Sequence, residues 1–149
     1  MTEIGFYHLQ KGSVAEALPR LLEKAVAGGF RVLVRTPSQD EAETLSRALW
    51  TFDPASFLPH GTAADGWEAE QPIYLTGGEE NPNHADLACQ VGGAEVVALD
   101  GFKRAVDMFD GRDEAATAAA RERWKRYRAA GHTVIYWQQK PGGGWEKKA

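Results

Sequence analysis

The residues best equipped for chemistry in this chain are five cations and two rings gathered into eight positions. Arg121, Arg123, Lys125, Arg126 and Arg128 surround Trp124 and Tyr127, and Glu122 is the single acid among them. Guanidinium and ammonium groups bind carboxylates and phosphates, and an aromatic face adds stacking or a pocket wall. No other stretch of the sequence is so charged and so aromatic at once. The chemistry on offer is anion recognition.

Helical spacing sorts these side chains. Thr117, Arg121, Trp124, Lys125 and Arg128 fall on or near one face by i, i+3 and i+4 steps, so three cations form a ridge with Trp124 inside it. Ala116, Ala119, Ala120, Arg123 and Tyr127 take the opposite side, which makes Tyr127 the better core candidate. Bases near a helix C-terminus are favourable in any protein, so a plain solvated face competes with a binding site. Three ligands compete as well: single-stranded nucleic acid held by phosphate contacts and stacking, an acidic peptide ending in an apolar residue, and an anionic membrane. The membrane is the weakest, because that face carries one apolar ring. A few cations are also thin for a polymer whose affinity comes from many phosphates. The formal net charge is -4, and residues 65–114 hold twelve acids against three bases. That field repels a long phosphate backbone and favours a short acidic peptide.

Other chemistries find little support. The Gly-Gly pairs at 28–29 and 92–93 match neither a dinucleotide fingerprint nor a P-loop, and read as helix stops and turns. His8, His60, His84 and His132 are scattered without metal-ligand spacing. Cys89 sits in an apolar segment with no base adjacent in sequence, as a buried small hydrophobe does. No carboxylate spacing marks an acid–base pair. No catalytic residue, cofactor or metal ligand is expected, and the chain reads as a non-enzyme.

The elements that must position the ridge are legible in outline. Residues 4–9 (IGFYHL) form a strand too apolar for one wet face, so the sheet is covered on both sides. Ser13 with Glu16 makes a capping box before a helix that ends at Gly28 and Gly29, with Pro19 as a kink or a loosened first turn. Residues 30–34 are the second strand. Thr36, Pro37 and Ser38 cap a helix with acids in its first turns and Ala42, Leu45, Leu49 and Trp50 as its apolar stripe. Strand, helix, strand, helix implies right-handed crossovers onto a parallel sheet. A short strand at 57–58 and strands at 72–76 and 86–91 follow. Residues 95–99 read as a further strand or a continuation, and 104–109 as a strand or a short helix. The ridge helix spans 113–130 and stops at Gly131, and 133–137 is the last strand.

A length of 149 residues suits one domain. We expect it over 1–138, with 139–149 as a flexible tail whose Trp145 is either loose or folded back over the sheet. The acidic start is unlike an export signal, no stretch approaches a membrane span, and the lone cysteine fits a reducing compartment. The expected location is the cytoplasm.

The order of these segments resembles the chi subunit family of bacterial DNA polymerase III holoenzyme over nearly the whole length. The segments that carry it are FYHL at 6–9, GFRVLV, DEAETLSRALW, PASFLPH at 54–60, and ARERWK at 120–125 with Tyr127, Arg128 and Gly131. The resemblance implies a single three-layer α/β domain, a mixed, mostly parallel sheet with helices on both faces, Rossmann-like without a phosphate-binding loop. It implies a non-catalytic accessory subunit that links the clamp loader to single-stranded DNA-binding protein by holding that protein's acidic C-terminal tail, which ends in proline–phenylalanine. By position, Arg121, Trp124, Lys125 and Arg128 are the tail-binding residues. Trp50 and Phe57 match a second surface, for the psi subunit or its equivalent, which also serves a repair helicase. Neither nucleic acid nor membrane is an implied direct partner. One departure is Thr117, where a basic residue can contribute to the tail site.

Overall fold

The computed structural model describes residues 2–51, 58–142 and 144–148. Strands β1 (Glu3–Leu9), β2 (Val32–Arg35), β3 (Ile73–Thr76), β4 (Leu87–Val91), β5 (Arg104–Asp110), β6 (Thr133–Gln139) and β7 (Trp145–Lys147) form one seven-stranded sheet in the order β3-β2-β4-β5-β1-β6-β7. Every pairing is parallel except β6 with β7. Helices α1 (Val14–Ala27), α2 (Gln39–Thr51) and α3 (Glu114–Ala129) flank it.

The strand order dictates where the helices go. The connections through α1 and α2 step toward the β3 edge, whereas the connection through α3 steps from β5 across β1 to β6. Right-handed crossovers running in opposite directions lay their helices on opposite faces. The core divides accordingly. Leu18 and Leu22 of α1 and Leu45 and Leu49 of α2 bury against Val32, Val34 and Met108. Ala120 and Tyr127 of α3 bury against Ile4, Phe6, Ala105 and Phe109 on the other face.

Local chemistry sets the helix ends. The Ser13 amide donates to the Glu16 carboxylate, 3.3 Å, at the start of α1. Pro19 lies buried within α1, which begins at Val14, so the helix does not start later on its account. The Ser38 hydroxyl accepts from the Glu41 amide, 3.2 Å, and caps α2. The Asp113 carboxylate accepts from the Ala116 amide, 3.1 Å, and caps α3. Cys89 is buried, and burial pushes its thiol up to about 12.

Two expectations fail. Residues 95–99 are neither a strand nor a continuation of β4. The chain turns after Val91 and makes a short 3-10 turn at Leu99–Gly101, because the Val96 amide is taken by the Gln90 side chain, 2.9 Å, rather than by a neighbouring strand. Leu58 is not in a strand, and Phe57 lies outside the described residues. Of the two alternatives for Trp145, the folded-back one holds: Trp145–Lys147 pairs with β6, and the Trp145 ring meets Tyr7 edge-on at 4.9 Å between centroids. The open alternative at 104–109 resolves as strand β5, held between β4 and β1.

Candidate functional site: a ring-sized notch beside a cationic helix

Helix α3 lies over β5 and β6. Its inward side is Ala120, Arg123 and Tyr127, at three- and four-residue steps. Ala119, expected on that side, is exposed instead. The helix is fixed in rotation by a buried polar network. Arg123 donates twice to the Asp107 carboxylate, at 2.7 and 2.9 Å. Gln90 donates to Asp107 and to the Tyr127 hydroxyl, each at 3.1 Å. The Tyr127 hydroxyl donates to Glu95, 2.7 Å, which also takes a forked pair of bonds from Arg126 at 3.1 and 3.0 Å. Burial works to raise the Glu95 carboxyl, but the Arg126 and Tyr127 hydrogen bonds and the nearby guanidinium groups hold it below its usual range.

With α3 seated this way, Trp124 reaches the end of the apolar layer and is half-buried. It meets Phe6 edge-on at 5.5 Å and Tyr136 at 6.1 Å between centroids. Phe6 and Tyr136 are register partners on β1 and β6, so both rings rise on the α3 side of the sheet. Between them is a cavity of about 200 Å³ lined by Phe6, Ala120, Arg121, Trp124 and Tyr136. Engineered apolar cavities of about 150 Å³ hold a benzene ring. The small Ala120 side chain leaves the room.

The Tyr136 side chain that lines the notch is held in turn by His8. Its Nδ1 pairs with the Tyr136 hydroxyl, and its ring tilts over Phe109 at 5.1 Å. A Cβ on Gly111 would lie 1.6 Å from His8 Nε2, so the residue there has to be glycine while His8 keeps this place. Burial chiefly, then Arg121, lowers the His8 pKa against an opposing pull from Asp110.

Of the four residues expected to bind a peptide, Arg121 and Trp124 line the notch. Lys125 and Arg128 are exposed further along α3, at helical steps from Arg121. Lys125 approaches Glu122 at 3.6 Å, a solvent-exposed pair of little energy. Thr117 spends its hydroxyl on the Gly111 carbonyl, 3.4 Å. Sequence reasoning missed Phe6 and Tyr136 and placed Ala120 in the core alone. An aromatic residue in both the first and the last long strand was the available signal, but only parallel register makes those rings neighbours.

Trp50 lies far from α3 in the chain, at the end of α2. It is 48% exposed, and its ring lies tilted against His60 at 4.0 Å between centroids. His60 is buried, with its ring nitrogens against the Leu58 and Ser46 carbonyls at 2.6 and 2.9 Å. The Trp50 ring therefore stands on a fixed platform.

Among the described residues, no group of three or more His, Cys, Asp or Glu side chains is placed to hold a metal ion, and no helix is long and apolar enough to cross a membrane. Fold and site together define a mostly parallel α/β domain that displays a ring-sized, cation-flanked notch.

The family model described as DNA polymerase III chi subunit, HolC, matches residues 1–135, and the chain belongs to that family. It is 29% identical over 109 residues to the probable DNA polymerase III subunit chi of Rickettsia prowazekii, covering 73% of this chain and 66% of that protein. It is 28% identical over 120 residues to the DNA polymerase III subunit chi of Haemophilus influenzae, covering 80% and 83%. With the Escherichia coli DNA polymerase III subunit chi it shares 29% identity over 107 residues, covering 71% and 72%. The chain is thus a non-catalytic accessory protein of the DNA replication machinery.

Proposed function

We propose that this chain joins the clamp loader to single-stranded DNA-binding protein by seating that protein's acidic C-terminal tail on α3. The observation that carries the reading is the notch: about 200 Å³, apolar in its walls, with Arg121 at its lining and Lys125 and Arg128 exposed on the same helix. The terminal phenylalanine enters between Trp124, Phe6 and Tyr136, and the tail's carboxylates meet Arg121, Lys125 and Arg128. Burying one phenyl ring supplies about 1.5–3 kcal/mol, and charge-assisted contacts add direction and on-rate. Several tails on an oligomeric partner add avidity. The scaffold is Rossmann-like, and its strand ends serve no phosphate loop.

Trp50, set against buried His60 yet half-exposed, fits the second surface, for the psi subunit or its equivalent and at other times a repair helicase. Phe57, the other residue assigned to it, lies outside the described residues. The protein acts in the cytoplasm and needs neither a membrane nor direct contact with nucleic acid.

Calorimetric titration with an acidic peptide ending in Pro-Phe tests the tail site. Removing the last phenylalanine should abolish measurable binding. Trp124→Ala should weaken binding about 30-fold, the loss at an interface hot spot. Lys125→Ala and Arg128→Ala should weaken it less and flatten its salt dependence. Equal weak binding of both peptides would remove the notch from the argument. Tight binding of an oligonucleotide at the same face would favour direct recognition of single strands instead.

A further inference from the structure

The β1–β6 pair that builds the notch under α3 has a second face. Side chains alternate along a strand, so Phe6 and Tyr136 point to α3 while Gly5, Tyr7, Ile135 and Trp137 point the other way. That other face is covered by α1 and α2 only toward the β3 edge, for the topological reason given above. Over β1 and β6 it is only bordered, by α1 through Leu21, Lys24 and Ala25 and by the Trp145 ring against Tyr7, although parallel strands are normally covered on both faces.

What stands there is a second notch of about 270 Å³. Tyr7 and Trp137 stack at 6.1 Å and 15° on one side, and Phe30 and Leu21 close the other. Gly5 forms part of its floor, where the Tyr7 ring leans so close that a Cβ would lie 2.9 Å from it. Two cations line the wall. Arg104 lies over the Phe30 ring at 5.6 Å and is paired with Glu3 at 3.3 Å, while exposed Lys24 forms no ion pair among the described residues. Lys147, the register partner of Trp137, stands on the same side of the sheet. The composition repeats that of the first notch: rings for walls and cations around them.

We propose that this cavity is a second docking site for an acidic peptide bearing an aromatic side chain, back to back with the first through the β1–β6 pair. The proposal rests on the peptide chemistry assigned above to α3. Charge selects the occupant. A second copy of this chain would bring Lys24, Arg104 and Lys147 against their own equivalents. A nucleic-acid backbone draws its affinity from many phosphates, and the lining offers only Lys24 and an Arg104 already paired with Glu3. An acidic peptide instead offers Lys24 a partner and competes with Glu3 for Arg104, while its ring lies against Trp137 and Ile135. Two sites on opposite faces would let one molecule hold two tails of an oligomeric partner at once.

The probe is a synthetic acidic peptide ending in Pro-Phe, with a photo-crosslinking benzoylphenylalanine as its last residue for mapping. The parent protein should bind two equivalents in calorimetry, the second more weakly. Trp124→Ala should leave the α3 site weakened about 30-fold and the second site unchanged, so that crosslinks move to α1 and β6. Lys24→Glu, an exposed change that leaves the core intact, should weaken that second site about fivefold, the upper end for an exposed charge pair. Trp137→Ala in the same background should remove its adducts. If Trp124→Ala abolishes all binding up to millimolar peptide, the second site does not exist and the α3 reading stands. If Lys24→Glu removes binding and Trp124→Ala does not, the α3 reading falls and this one survives. Residual binding indifferent to Lys24→Glu and Trp137→Ala, or displaced by an oligonucleotide, overturns the proposal.

Discussion

Consider replacing Asp107 by alanine. The Asp107 and Arg123 side chains are 1% and 4% exposed, and they are joined by two charge-assisted bonds at 2.7 and 2.9 Å. Removing the carboxylate leaves a guanidinium inside the protein with no counter-charge at that place, and Gln90 loses one of its two acceptors. Breaking a buried pair from one side costs about 3–5 kcal/mol, against a total stability of about 5–15 kcal/mol for a domain. The variant should therefore lose about a fifth or more of its stability. Arg123→Met alone should cost a similar amount, because it strands the carboxylate. Asp107→Leu with Arg123→Met, which removes both charges and keeps the volume, should cost much less than the two single changes together. Urea denaturation followed by far-ultraviolet circular dichroism reads all four proteins, with the slope against urea checked for constancy. The network also sets the rotation of α3, so the Asp107→Ala protein, still folded without urea, should bind the acidic peptide more weakly although no ligand-contacting residue has changed. A cost below about 1 kcal/mol for Asp107→Ala would refute the reasoning. So would a double variant less stable than either single one.

Three further outcomes follow from the same geometry. Gly111→Ala drives a methyl group into His8, so it should destabilise by about 1–3 kcal/mol in thermal unfolding, and His8→Ala in the same chain should restore most of the loss. The folded-state pKa of His8 is held below its ordinary value, chiefly by burial, so the unfolded chain binds more protons between the two values. Its contribution to stability is present above about pH 6.5 and is lost as pH falls through the folded value, and His8→Leu should flatten that part of a stability–pH curve. Trp145→Ala removes the ring that anchors β7 to Tyr7, so amide exchange in the β6 ladder should quicken while α3 and the β2–β4 core stay protected.

The sequence by itself determined what is local. Helix limits follow from Ser13, Ser38, Asp113 and Gly131, and the face of α3 from the spacing of Ala120, Arg123 and Tyr127 against Arg121, Lys125 and Arg128. Capping, periodicity and charge all act within a few residues, so each is readable in order along the chain. Strand against helix at 104–109 was undecidable, because an apolar run of that length is buried either way and its neighbours β1 and β4 decide. The loss of 95–99 from the sheet turned on a hydrogen bond from Val96 to the Gln90 side chain. Trp145 gave no periodic signal, since a three-residue strand exists only through the partner it pairs with.

Tertiary structure alone decided the notch. Phe6 and Tyr136 lie 130 positions apart and become neighbours because the α3 crossover carries β6 past β5 to the far side of β1. The cations of α3 and the face they share are legible in the sequence. What they surround, and that the same two strands offer a second cavity behind, follows from parallel register and from the hand of the crossovers, neither of which is written in any single stretch of residues.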